Sequence, residues 1–157
     1  MKLRVYVESS VVSYLTAKPS RDLIVAGQQA LTQAWWSEGA HTHALCFSSV
    51  VMEEISRGDS EAASARQRVL DGLDEVSLTE AAVELAARLL DAGALPAKAM
   101  IDALHVAVCA VNGVDVLVTW NCKHIANVTM FEVIDQVCRD AGYAPPRLCT
   151  PAELWGN

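Results

Sequence analysis

Three acidic residues of this chain stand in surroundings that suit a solvated charge badly, and one amide belongs with them. Asp102 interrupts 97–111, a segment apolar almost all round. Glu54 shares a helical face with Val50 and Val51 and has no partner within its own helix. Glu8 ends the alternation Leu3, Val5, Val7, and Asn121 directly follows the apolar run 116–120. A buried carboxylate without a partner is costly, so acids in such places point to a bound cation or a transferred proton. Glu53 is read differently: it precedes Arg57 by four residues in the order that favours a surface ion pair. For Asp102 the plainer alternative is an i,i+4 pair with Lys98, with His105 a satisfied core histidine on the same stripe, which Cys109 extends.

Carboxylates drawn together repel, and without a cation at least one of them keeps its proton. A divalent ion removes that conflict. Oxygen ligands with few imidazoles suit Mg²⁺ or Mn²⁺, which retain waters and take further ligands from a phosphate. Metal-held water attacking a phosphodiester in line is the chemistry such a set supports. Zinc is the rival, offered by Cys122, His124, His105 and Cys109, but the chain holds no CxxC pair or spaced Cys/His quartet. His41 and His43 read as surface residues, and Trp35-Trp36 as core or dimer surface rather than a base-stacking platform.

Positioning these four residues requires strands that lead into helices. The period of two in 3–7 predicts a strand, with Ser9 or Ser10 capping a helix over 11–16. A helix over 21–38 follows, with Leu23, Ile24, Leu31, Trp35 and Trp36 as its buried set. The segment 41–47 reads as a weak strand, and Ser48 or Ser49 caps a helix over 50–57 that Gly58 stops. Helices over 60–70 and 79–91 flank a strand at 75–78; Pro96 opens the helix 97–111, and a strand runs over 115–119. The remainder predicts helices at 124–127 and 131–141, a strand around Leu148 and a last turn at 151–154. This alternation implies an α/β sandwich with a mostly parallel sheet, whose ligands bind outside the carboxyl ends of the strands. Glu8 and Asn121 end strands, while Glu54 and Asp102 lie in the first two turns of helices that start at the same edge. All four converge on one mouth.

At 157 residues the chain reads as one domain, 1–157, with 52% hydrophobic and 20% charged residues. The net charge of −7 excludes a broad positive field, so any nucleic-acid contact must be local or metal-assisted. Lys18, Arg21, Arg57, Lys98, Lys123 and Arg139 are the candidates for phosphate contacts. Five cysteines without an N-terminal signal segment predict reduced thiols and a cytoplasmic location, and no apolar run approaches the roughly 20 residues that span a bilayer.

The pieces VYVESSVVSYL, SSVVMEEISRG, IDALHVAVCAVNG and VLVTWNCKHI resemble, in order and spacing, the motifs of PIN domains of the VapC toxin type. The closing CTPAE fits the end of such a domain. The resemblance implies a three-layer α/β/α sandwich and a Mg²⁺- or Mn²⁺-dependent ribonuclease, the toxin of a toxin-antitoxin pair, with RNA as substrate, a cognate antitoxin as partner, and a homodimer. It places catalytic roles on Glu8, Glu54, Asp102 and Asn121, metal ligation on Glu8, Glu54 and Asp102, and a supporting hydroxyl on Ser9 or Ser10. Two positions depart from the family pattern: Glu8 stands where Asp is usual, and Asn121 where Asp is frequent. The competing expectation is a catalytically weakened or silent module that binds RNA or a protein partner; a small-molecule phosphohydrolase on the same crevice is a third.

Overall fold

The computed structural model describes residues 2–155. Five strands, all parallel, form one sheet in the order β3-β2-β1-β4-β5: β1 (Arg4–Val7), β2 (Ala44–Phe47), β3 (Asp74–Glu75), β4 (Val116–Val118) and β5 (Arg147–Cys149). Eight helices connect and follow them: α1 (Ser9–Thr16), α2 (Leu23–Glu38), α3 (Ser49–Ile55), α4 (Ser60–Val69), α5 (Glu80–Asp91), α6 (Met100–Val111), α7 (Phe131–Asp140) and α8 (Pro151–Leu154). The three central strands are short and nearly continuously buried, as strands covered on both faces must be.

The connections explain the layering. From β1 the chain steps outward to β2 and β3 through α1 to α4, then returns past β1 to β4 and β5 through α5 to α7. Right-handed crossovers running in opposite directions put these two helix sets on opposite faces of the sheet. Contacts agree: α1 packs on α2, α3 and α4, whereas α5 packs on α6 and α7. The strand order reverses between β1 and β4, so the crevice beyond their carboxyl ends is the switch point at which such sheets bind ligands. There α3 also touches α6, joining one helix set to the other.

Most predicted elements form with shorter ends, and several differ for local reasons. The helix expected from 97 begins at Met100, because Pro96 to Ala99 form a hydrogen-bonded turn first. The helix expected at 124–127 is a turn wound on Asn121, followed by a short 3₁₀ segment at Val128–Met130. His41 falls in another 3₁₀ turn, Ala40–Thr42, before β2 begins. The largest departure is on α2: Leu23 and Ile24, expected in the core, are 88% and 74% exposed, and the helix buries Gln29 and Thr32 beside the expected Trp35. Its N-terminal turn is capped by Asp22, and the apolar residues there stay in solvent instead of meeting the core.

Candidate active site

Glu8 is the first residue beyond β1. Its backbone N–H donates to the carbonyl of Val118, which continues the β1–β4 ladder by one bond. Its side chain then turns back to cap α1, with Oε2 accepting from the Ser10 amide at 2.7 Å. Oε1 accepts from the hydroxyls of Ser10 at 2.7 Å and Thr119 at 2.6 Å. The sequence expectation that Ser9 or Ser10 caps α1 is therefore corrected: the acid itself is the cap, and the helix includes both serines. Glu8 is 5% exposed and each of its carboxylate oxygens accepts at least one hydrogen bond, which answers how a carboxylate can sit there.

Glu54 reaches the same place from α3. The serine after Glu8 donates to it, Ser9 Oγ to Glu54 Oε1 at 2.6 Å, while His105 Nε2 of α6 lies 2.6 Å from the same oxygen. Both contacts fall on Oε1, and Oε2 has no protein hydrogen bond among the described residues. Burial raises the carboxyl pKa, but the hydrogen bonds from His105 and Ser9 outweigh it and hold the group below its ordinary value. Glu54 is thus an anion in a half-dry setting. Glu53 points outward and pairs with Arg57 at 3.5 Å, an exposed contact of little energetic weight.

Behind His105 the polar contacts continue into the core. Its Nδ1 lies 2.8 Å from the Tyr6 hydroxyl, which lies 2.7 Å from Ser48 Oγ, and Ser48 Oγ accepts from the Val50 amide as the cap of α3. Tyr6, Ser48 and His105 are all buried. Burial, first of all, pushes the Tyr6 phenol well above its usual range, so it keeps its proton.

Asp102 stands in the first turn of α6, facing the loop after β4. Its Oδ2 bonds His124 Nδ1 at 2.8 Å, rather than Lys98. Asn121 Oδ1 accepts from the His124 amide at 3.0 Å, so the side-chain oxygen of this candidate catalytic residue is engaged in shaping the loop. That loop is tied down twice more: the Trp120 amide donates to Ser10 Oγ at 2.8 Å and its indole N–H to Thr32 at 2.7 Å. The Trp120 ring also stacks on Tyr14, with centroids 6.1 Å apart.

Of the four residues expected at one mouth, the structure brings Glu8 and Glu54 into one cluster with His105, in which one ligand atom from each lies within 4.8 Å of the others. Asp102 and Asn121 lie at the same sheet edge but outside that cluster, joined to each other through His124. No cysteine enters the cluster among the described residues, which removes the thiolates that the zinc alternative needed. Two converging carboxylates, one held ionised and with a bare oxygen, are the donor chemistry of a hard divalent cation, and the residues fit Mg²⁺ or Mn²⁺. Sequence reasoning missed Thr119 and weighed His124 only as a zinc ligand. Thr119 has no signal beyond its place at a strand end; His124 follows Asn121 by three residues, the spacing of an asparagine-capped turn. Beside this edge, Leu90, Leu95, Pro96, Lys123, His124 and Met130 help line a recess of about 400 Å³.

The fold is that of a VapC-type PIN domain. The crystal structure of Mycobacterium tuberculosis VapC20, described as a sarcin-ricin loop cleaving toxin, is similar over 89% of this chain and 96% of that one, with a TM-score of 0.60 and 16% sequence identity. No family model and no curated protein matches the sequence. Among the described residues no helix is long and apolar enough to cross a membrane.

Proposed function

We propose that the protein is a metal-dependent endoribonuclease of the VapC toxin type, held in check by a cognate antitoxin. The observation that carries this reading is the convergence of Glu8 and Glu54, 46 positions apart in the chain, at the switch point of a sheet whose fold a sarcin-ricin loop cleaving toxin shares. Glu8 and Glu54 would hold Mg²⁺ or Mn²⁺, and Asp102 would add its carboxylate from α6. The ion would supply an activated water and charge neutralisation at the phosphodiester. Glu54 contributes its unengaged Oε2, Ser10 and Thr119 fix Glu8, and Asn121 keeps His124 and Asp102 in place. The neighbouring recess, with Lys123 on its rim, has room for a nucleotide beside the scissile phosphate.

The test is cleavage of total cellular RNA by purified, antitoxin-free protein with Mn²⁺, with Mg²⁺ and with chelator, alongside Asp102→Asn. Metal-dependent cleavage that Asp102→Asn abolishes, with the circular dichroism spectrum unchanged, is the expected result. Full activity in Asp102→Asn would sink the assignment. Folded protein that binds RNA without cutting it under any metal would favour the silent-module reading, which Glu8 and Asn121 in place of aspartates motivate.

A further inference from the structure

We propose that His105, although within ligand reach of the acidic pair, is not a metal ligand but a positioning residue: a neutral imidazole locked with its proton on Nε2, which it donates to Glu54. The assignment follows from counting hydrogens along the buried chain from Val50 to Glu54.

The Val50 amide can only donate, and it occupies one acceptor site of Ser48 Oγ. Ser48 is fully buried, and among the described residues its hydroxyl has one other partner, the Tyr6 oxygen at 2.7 Å. If Ser48 donates to Tyr6, then Tyr6 donates to His105 Nδ1, and the imidazole carries its proton on Nε2, directed at Glu54 Oε1. Every hydrogen is then used. The opposite tautomer would set the lone pair of Nε2 against a carboxylate oxygen 2.6 Å away, two acceptors with no proton between them. A doubly protonated ring would donate at Nδ1 to Tyr6, turn the phenol toward Ser48 and leave the Ser48 hydrogen buried without an acceptor. One backbone amide at the start of α3 therefore fixes a proton on α6 through three side chains from three elements.

The consequence concerns Glu54, whose Oε1 is pinned by His105 and Ser9, leaving Oε2 as its oxygen without a protein hydrogen bond among the described residues. His124 does the converse for Asp102, with Nδ1 as the bonded nitrogen. The two rings thus offer opposite nitrogens to their acids, and each serves as a built-in reference for the other. The final step, aiming Glu54 at a cation, rests on the reading of Glu8 and Glu54 as a metal-holding pair; the position of the proton does not.

The decisive measurement is long-range ¹H–¹⁵N correlation on protein labelled at the imidazole nitrogens, without metal and with excess Mg²⁺. His105 is expected to show a protonated Nε2 and a bare Nδ1 in both conditions, and His124 a protonated Nδ1. A bare Nε2 on His105, protons on both its nitrogens, or loss of the Nε2 proton when Mg²⁺ is added would overturn the proposal. A second arm measures Mn²⁺ affinity: His105→Leu should weaken it roughly ten- to hundredfold, as loss of a group that orients a ligand does. His105→Gln, which can place an N–H near the same point, should restore most of it, and a glutamine variant no better than leucine would count against positioning. Wild-type protein that binds no Mn²⁺ at all would refute the metal reading, while the nitrogen spectra would still decide the proton's position.

Discussion

Glu54 and Glu8 solve the problem of a poorly solvated carboxylate in different ways, and each solution has a measurable signature. Glu54 is held below its ordinary pKa of 4.5 in the folded protein. It therefore contributes stability that is complete above the unfolded value and is lost as pH falls through the folded one. Metal-free Glu54→Gln should show a shallower fall in melting temperature below about pH 4.5 than the wild type. Equal slopes would mean that the two hydrogen bonds on Oε1 do not favour the anion. At this scale the sequence was informative about which acids matter, because Glu54 and Asp102 break apolar faces. It was silent about partners: the Lys98 alternative for Asp102 was reasonable by spacing, yet a histidine 22 residues further along takes the contact. His105 was visible as the polar member of a buried stripe, but the tyrosine and serine behind it come from other elements and leave no periodic trace.

Helix α1 depends on Glu8 as its cap, which makes the acid structural as well as chemical. Glu8→Ala removes a capping bond worth about 1 kcal/mol and strands the buried Thr119 hydroxyl, with hydrogen bonds to a charged group worth about 1.5–3 kcal/mol each. A loss of about 3 kcal/mol in urea unfolding is expected; a change below 0.5 kcal/mol, the range of ordinary surface substitutions, would show that α1 does not need the cap. On α2 the contrast lies within one helix. Leu23→Ser and Ile24→Ser should stay within about 0.5 kcal/mol of wild type, whereas Trp35→Ala should cost about 3–5 kcal/mol, since Trp35 is fully enclosed. Periodicity identified α2 correctly but assumed that its whole apolar stripe meets the sheet. In the first turn of α2 the pattern persists while the contact does not.

For the whole molecule, the order of strands and helices was legible because strands that end in polar residues and run into capped helices leave few arrangements. That ligands would bind beyond the carboxyl ends of the strands followed from that alternation, whereas the switch point needed the spatial strand order. The side-chain geometry across it was not legible, since it depends on β1 and β4 becoming neighbours over a separation of more than 100 residues. The thiols divide by depth in the same architecture: Cys46, Cys109 and Cys138 are buried and Cys122 is exposed. Alkylation of native protein should label Cys122 and spare those three until denaturant is added; early labelling of Cys109 would contradict the packing of α6. The clasp at Glu8 has one more implication. It grips Ser10 on its own side and Thr119, 111 residues away, on the other. No partly folded species in which β1 and β4 remain apart can own the site, and no nascent chain can assemble it before residue 119 is made. Activity regained on refolding should therefore follow the slowest global phase, with none appearing early, and under the proposed function the growing chain would be inert at least until Thr119 is made.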